Sequence, residues 1–196
     1  MIAKFGFALV MTLAATFPLA AEPFHHPYGE WREYHRDWLA ACPDVIDEDA
    51  TDFYGHSCFA STGSQQLNSA GLPAYKLTLL RNRLTGELDI AVTVAADKAQ
   101  TDTSRPLKLN FHGGVTMQFD FVADLETRYN TTNQFYVADP VRKAALLEEM
   151  KRCNALTMTV PLNGDGGASE EVWLSMRGVL ASLDFMASFA RKVAQY

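Results

Sequence analysis

The sequence predicts a mainly β protein, an antiparallel β-sandwich or partly closed barrel, with two short helices in its second half. About eight or nine short segments rich in β-branched and aromatic residues are separated by turn signals, which is typical of these folds. Helical patterns do not alternate with these segments, so a parallel sheet of βαβ units is not expected. The 196 residues are enough for one domain with a sizeable core.

Residues 1–21 have the pattern of a secretory signal peptide. Lys4 supplies the positive start, an uncharged and mostly apolar run follows, and small residues precede the expected cut before Glu22. An N-terminal anchor helix that stays attached is the alternative, but the run is short and is broken by threonine and proline. We therefore expect residues 22–196 to form a single β-rich domain in the periplasm or outside the cell.

The charge balance argues against some classes of partner. The chain has a formal net charge of -6, with 48% hydrophobic and 20% charged residues. Nucleic-acid binding needs a basic surface that neutralises phosphates, and the acidic balance argues against one. Binding to a membrane surface through basic residues is disfavoured for the same reason. No segment after the signal peptide is long and apolar enough to be expected to cross a membrane.

Two strands, Asp37–Cys42 and Ser57–Ser61, are predicted on either side of an acidic loop. Each strand carries one cysteine, Cys42 and Cys58, and an exported protein folds in a compartment where disulfides form. Opposed residues on adjacent antiparallel strands have Cα atoms about 4.5–5.5 Å apart, a separation that a disulfide accepts. We therefore expect Cys42 and Cys58 to be bonded to each other.

The third cysteine, Cys153, follows a predicted helix. Asp139 is in the capping position, Pro140 is the first helical residue, and the helix should run to about Arg152. The apolar face of this segment consists of Leu146, Leu147, Met150 and Cys153. We expect Cys153 to be a buried thiol without a disulfide partner, and a reactive thiol or an intermolecular bridge is the alternative.

Two groups of potential metal ligands occur early in the chain. His25 and His26 lie in the segment Glu22–Pro27, where a free amine beside them could bind copper or nickel, but a flexible tail is favoured. The next segment, Tyr28–Arg36, contains His35 and fits a short helical turn or an extended lead-in equally well. The acidic loop lacks the calcium-loop pattern and is interpreted as solvated. Its carboxylates are Asp44, Asp47, Glu48, Asp49 and Asp52.

The middle of the chain predicts two hairpins. Ala74–Leu80 and Glu87–Ala95 flank a loop that contains glycine, and Leu107–Phe111 and Val115–Phe121 flank a Gly-Gly turn. Apolar and polar residues alternate along the last of these strands, so one face should be buried. That face consists of Val115, Met117, Phe119 and Phe121.

The last third of the chain adds three extended segments. Phe135–Val137 is a brief one, and Ala155–Leu162 and Glu171–Arg177 are predicted to pair as strands around a glycine-rich turn.

A final helix is predicted from Val179. Its apolar face consists of Val179, Leu180, Leu183, Met186, Ala187, Ala190 and Ala194. We expect the helix to dock through Leu183, Met186 and Ala190. Phe185 falls on the polar side and is expected near the surface.

The two ends of the predicted mature chain share a pattern with a known family. Trp38 and Cys42 lie on the first cysteine strand, and Cys58 follows on the second. Three residues near the other end complete the pattern: Ser175, Met176 and Gly178. This pattern resembles the invasion-associated locus B family, which consists of exported proteins of Gram-negative bacteria. The resemblance implies a β-rich fold, an envelope location and no established catalytic residues.

The chain also departs from the family pattern. Many members have a second cysteine pair in the middle of the domain, where this chain has Phe135–Pro140 without cysteine. The phenylalanine that usually follows the closing glycine is Val179 here.

Three functions are compatible with the residues. We favour a non-catalytic exported envelope protein that binds a macromolecular partner, a protein or another envelope component, and the resemblance implies an invasion- or host-associated role. The second is a periplasmic small-ligand or metal-binding protein that uses His25, His26 and His35, with the acidic loop as a further source of ligands. The third is a hydrolase that combines His56 or His112 with a serine and an aspartate. We predict no enzymatic activity and assign no catalytic, cofactor or metal residues.

Overall fold

The computed structural model describes residues 22–47, 49–50, 55–94, 100–129, 131–164 and 167–193, and the side chains of 190–193 are outside that description. Within this part, the chain forms two open antiparallel sheets, of eight and four strands, and two helices. The predicted mainly β fold is confirmed, because the arrangement is consistent with a β-sandwich. The signal peptide predicted at 1–21 lies outside the described residues.

The bounds of the elements follow the chain. The strands are β1 (Phe24–His26), β2 (Glu30–His35), β3 (Trp38–Pro43), β4 (Ser57–Gly63), β5 (Tyr75–Asn82), β6 (Leu88–Val94), β7 (Leu107–Phe111), β8 (Thr116–Phe119), β9 (Leu125–Glu126), β10 (Gln134–Val137), β11 (Ala155–Pro161) and β12 (Ser169–Ser175). The helices are α1 (Pro140–Arg152) and α2 (Val179–Val193). The larger sheet has the order β1-β2-β3-β4-β5-β6-β10-β9, and the smaller has the order β12-β11-β7-β8. Residues from both sheets and both helices form one apolar core.

Helix α1 begins as its capping sequence predicts. The Asp139 carboxylate accepts a hydrogen bond from the backbone N–H of Arg142 at 2.7 Å, which satisfies a donor that the first turn leaves unpaired. Leu146 and Met150 are fully buried on the inner face. No helix in the described part of the chain combines the length and the apolar content that a membrane crossing requires.

A disulfide between Cys42 and Cys58 joins β3 to β4. Ala41 is paired with Phe59 in this antiparallel ladder, so the next pair brings the two cysteines opposite each other, with Cα atoms 4.2 Å apart. Both cysteines are fully buried. The predicted bond is present, and Cys153 is a free and buried thiol.

The segment Glu22–Pro27 is not a flexible tail, which corrects the prediction. Its central residues form β1, which pairs with β2 so that His25 lies opposite Trp31. Gly29, at φ 75°, turns the chain between the two strands in a conformation that favours glycine. The main-chain hydrogen bonds to β2 provide the order that the sequence pattern does not reveal. For the segment that follows, the extended alternative is correct, because it forms β2.

Strand β8 confirms most of the predicted alternation. Phe119 and Phe121 are buried, and the polar residues between and beside them are exposed. Met117 is partly buried against the core. Val115 is exposed, contrary to the prediction, because it precedes the first paired residue of β8 and lies outside the region where the sheet covers side chains.

Helix α2 is covered on two sides. Val179, Leu183 and Met186 are buried as predicted, but Leu180 is 57% exposed and Phe185 is only 6% exposed, both opposite to the prediction. The Phe185 ring lies 6.0 Å from the imidazole of His35 on β2. Strand β2 therefore covers a side of the helix that the helical pattern assigns to solvent. The side chain of Ala190, and Ala194 as a whole, lie outside the described residues.

An ion-pair network connects α1 to the larger sheet through Asp89 on β6. The Asp89 carboxylate accepts hydrogen bonds from Lys143 Nζ at 2.6 Å and from Arg128 Nη1 at 2.7 Å. Burial alone would raise the pKa of Asp89, but these two hydrogen bonds and the charges of their donors outweigh it and hold the pKa below its usual value.

Replacing Asp89 with asparagine is expected to lower the free energy of unfolding by about 2 kcal/mol at pH 7, because charge-assisted hydrogen bonds are lost. A carboxyl whose folded pKa is depressed stabilises the protein above its unfolded pKa, and this contribution disappears as the pH falls through the folded pKa. The difference between wild type and Asp89→Asn, measured by urea unfolding, should therefore shrink below about pH 4. Glu126→Gln is the control, because Glu126 is a more exposed partner of Arg128 and should change stability by less than about 0.5 kcal/mol. A difference that stays constant down to pH 3 would contradict the assignment.

Candidate functional site

A groove of about 960 Å³ opens between β2 and α2, and we call it the β2–α2 groove. Its lining residues are Glu22, Pro23, Trp31, Glu33, His35, Ala181, Asp184, Phe185, Ser188 and Phe189. Three of them are aromatic, three carry carboxylates and one is a histidine. The combination of apolar surface and a few polar groups is typical of a binding site.

The groove has two walls with different periodicities. On β2, successive side chains point to opposite faces, so Trp31, Glu33 and His35 share the face toward α2. On α2, Phe185 and Phe189 are one turn apart and meet on one side of the helix. A row of alternate residues on β2 therefore faces a row of residues one turn apart on α2 across the groove.

The aromatic side chains of the groove touch one another. The ring centroids of Phe185 and Phe189 are 4.8 Å apart, and those of Trp31 and Phe189 are 6.4 Å apart. Phe185 is buried at the base, whereas Trp31 is 38% exposed at the rim. The aromatic surface of the groove therefore extends from the buried ring of Phe185 to the partly exposed ring of Trp31.

The polar groups of the β2 wall are Glu33 and His35. A carboxylate oxygen of Glu33 lies 3.6 Å from His35 Nδ1, and both side chains are more than four-fifths buried. His35 Nε2 is buried and has no hydrogen-bond partner among the described residues. A buried nitrogen without a partner is costly, and such groups are uncommon in folded proteins.

Contacts between the two ends of the chain hold the groove together. Trp38, fully buried, donates its indole N–H to the carbonyl of Ser175 at 2.9 Å. The Ser175 hydroxyl donates in turn to the Asp37 carboxylate at 2.7 Å. At Gly178, a Cβ would lie 2.9 Å from the carbonyl carbon of His35 and closer still to its oxygen. These contacts place the start of α2 directly against the end of β2.

The three histidines predicted as potential metal ligands do not converge. His25 contacts the ring of Trp31, whereas His26 contacts Tyr28, as expected for neighbours on opposite faces of a strand. His35 is four residues along β2 from Trp31, about 13 Å. Within the described residues, no group of three or more His, Cys, Asp or Glu side chains is placed to hold a metal ion.

The acidic loop is only partly described. Glu48 and Asp52 lie outside the described residues. The Asp44 carboxylate contacts Nε2 of His25 at 2.5 Å, and Asp47 accepts a hydrogen bond from a backbone N–H within the loop at 3.1 Å. These carboxylates connect the loop to itself and to β1.

The residues of the hydrolase alternative are not assembled into a triad. His56, Ser57 and Asp89 line a small pocket of about 140 Å³, but the Asp89 carboxylate is bound by two cations. In the part of the chain that the structure describes, no hydrogen bond joins His56 to Ser57, the contact that activation of a serine requires. His112 Nε2 instead contacts the Thr157 hydroxyl at 2.9 Å. The absence of enzymatic activity remains a prediction.

The β2–α2 groove is not among the sites predicted from the sequence. The signal was present on β2, because Trp31, Glu33 and His35 occupy alternate positions and share one face once the segment is taken as a strand. If the same segment is taken as a helical turn, these three residues do not share one face. The sequence pattern could not connect Phe189 to this face of β2, because Trp31 and Phe189, which meet across the groove, are far apart in the chain.

The fold and the groove together define a disulfide-bonded, mainly antiparallel β protein with an open aromatic groove. Among solved structures, the chain is similar to invasion associated protein B from Bartonella henselae, with a TM-score of 0.55 and 13% sequence identity. The match covers 82% of this chain and 98% of that chain. At this identity the similarity concerns the fold alone, so the family resemblance is supported at that level. No protein-family model matches the chain, and no curated protein matches it.

Proposed function

We propose that this chain is a non-catalytic exported envelope protein that binds a partner protein through the β2–α2 groove. The observation that carries the proposal is the aromatic surface of the groove, with Trp31 at its rim and Phe189 beside it. Tryptophan is among the residues that most often dominate the free energy of protein association. The occupant is a segment of the partner that inserts apolar side chains between β2 and α2.

Two further observations support an exported protein. The Cys42–Cys58 disulfide fits an oxidising compartment. The structural neighbour is named as an invasion associated protein, and a host-associated role for this chain forms part of the same proposal. Partner proteins in the envelope or on a host surface would both be accessible after export.

A photoreactive amino acid in place of Ser188, which lines the groove, is expected to form a discrete adduct in the intact envelope. The same amino acid in place of Trp173, an aromatic residue on β12 that is 52% exposed, should not form that adduct. Mass spectrometry identifies the captured protein, which is then purified for affinity measurement. Trp31→Ala should weaken its binding at least about tenfold, since a central aromatic anchor is removed.

The matched control is Trp173→Ala, which removes an exposed tryptophan from the smaller sheet and should change affinity less than about twofold. Melting temperatures of both variants separate lost binding from lost folding. The proposal fails if the photoreactive amino acid at position 188 forms no adduct beyond those formed from position 173. It also fails if the purified partner binds the Trp31→Ala variant as tightly as it binds the wild type.

A further inference from the structure

We propose that a second pocket, between the end of α1 and the start of α2, binds the phosphate group of a small soluble molecule. We call it the basic pocket, and its volume is about 370 Å³. It adjoins the β2–α2 groove at Ala181, which lines both. Its ligand is independent of the partner proposed for that groove.

Four cationic side chains line the basic pocket, and no aspartate or glutamate is among its described lining residues. The four are Arg36, Lys151, Arg152 and Arg177. The chain as a whole is acidic, with a formal net charge of -6, so this concentration of positive charge is a local property of the pocket. Charges of one sign around a concave site attract ligands of the opposite sign.

Two of the four cations are available to a ligand. The two on α1 are paired with glutamates of the same helix, whereas the guanidinium groups of Arg36 and Arg177 make no hydrogen bond and no ion pair within the described residues. The carboxylate of Asp37, next to Arg36, accepts the hydroxyl of Ser175 instead. Arg36 and Arg177 are also exposed, so a dissolved anion reaches both.

Backbone contacts hold these two arginines near each other. Arg36 lies in the turn between β2 and β3, and Arg177 follows the end of β12. The backbone N–H of Asp37 donates to the carbonyl of Arg177 at 3.4 Å. On the other side of these residues, Gly178 packs against the carbonyl of His35. Two segments that are distant in the sequence therefore place their guanidinium groups around one pocket.

The first turn of α2 adds further hydrogen-bond donors to this arginine pair. Leu180 and Ala181 line the pocket, and their backbone N–H groups donate no hydrogen bond within the described residues. No acidic residue occurs in this turn. Guanidinium groups are likewise donors only, and planar pairs of their N–H groups match the oxygens of a phosphate. A doubly charged group with several acceptor oxygens fits this set of donors.

The phosphate could belong to a dissolved molecule or to a lipid headgroup. The acidic chain is repelled by an anionic bilayer, whose surface charge has the same sign. The volume of the pocket lies within the range of small-molecule sites and exceeds that of a single phosphate ion. We therefore expect a soluble molecule that carries a phosphate group.

Inorganic phosphate is the probe that tests this site. It is titrated at constant ionic strength into the 15N-labelled protein, purified after export, and binding is followed by the chemical shifts of the backbone amides. The amides of Asn154, Arg177 and Leu180, which surround the pocket, should shift and saturate together. The amide of Lys108, on β7, should not shift.

Variants separate a specific site from general attraction. Replacing Arg36 and Arg177 together with glutamine should weaken phosphate binding at least about tenfold, and each replacement alone at least about threefold, because charge-assisted hydrogen bonds are lost. The matched control replaces Lys76 on β5 and Lys108 on β7 with glutamine. It removes the same charge from outside the pocket and should weaken binding less than about twofold. Unchanged amide shifts away from the substitutions show that the variants are folded.

Three outcomes would overturn the inference. Phosphate binds no site here if the amides around the pocket do not shift or do not saturate. The attraction comes from the net charge if the lysine control weakens binding as much as the arginine variant does. Sedimentation with phosphatidylglycerol vesicles, absent with phosphatidylcholine vesicles and abolished in the arginine variant, would assign the phosphate to a lipid headgroup and exclude the soluble ligand.

Discussion

Replacing Gly178 with alanine is expected to lower the free energy of unfolding by more than about 3 kcal/mol. The residue has φ 117°, a conformation that L side chains rarely adopt, and an added Cβ would lie 2.9 Å from the carbonyl carbon of His35 and closer to its oxygen. The neighbour is backbone of β2, which cannot rotate away as a side chain could. Urea unfolding followed by circular dichroism measures the loss.

The matched control for this prediction is Gly86→Ala. Gly86 also has a positive φ, at 78°, but an added Cβ would meet nothing within 4 Å. Its replacement should cost only about 1 kcal/mol, from backbone strain alone. The difference between the two losses in the free energy of unfolding therefore measures the effect of the close approach of α2 to β2 at Gly178. Equal losses for the two variants would show that this approach is not required.

Replacing both Cys42 and Cys58 with alanine is expected to lower the free energy of unfolding by about 3 kcal/mol. The disulfide connects residues 16 positions apart, and without it the unfolded chain regains the conformational freedom of that loop. The same urea experiment measures the change. Reducing the wild-type disulfide should reproduce most of the loss.

Two controls accompany the disulfide variant. Cys153→Ala removes a buried thiol that is not bonded and should cost about 1 kcal/mol. Thiol counting on denatured wild-type protein should find one free thiol before reduction and all three cysteines after it. Three free thiols before reduction, or a double variant as stable as wild type, would contradict the prediction.

The residues that carry the family resemblance have a structural role in this chain. Trp38 and Ser175 hydrogen-bond across the core, and Gly178 lets the start of α2 approach β2. They define how the two ends of the chain meet, which is a property of the fold. The side chains of the groove, such as Trp31 and Phe189, lie outside that pattern. A resemblance based on the first set therefore extends to the fold without specifying what the groove binds.

The sequence by itself determined the features that depend on local rules. Runs of β-branched and aromatic residues between turn signals located most of the strands, and the capping residue Asp139 placed the start of α1. Antiparallel neighbours in a predicted oxidising compartment made the Cys42–Cys58 bond expected. In each case the relevant residues are close together in the chain.

Only the tertiary structure decided which surfaces are covered twice and which are left open. The helical pattern of α2 identifies one buried face, but Phe185 is buried on another side because β2 and His35 lie there. The order of β1 likewise comes from its hydrogen bonds to β2. The groove between Trp31 and Phe189 depends on a contact between the two ends of the chain. A local repeating pattern of residues does not show which distant segment will pack against it.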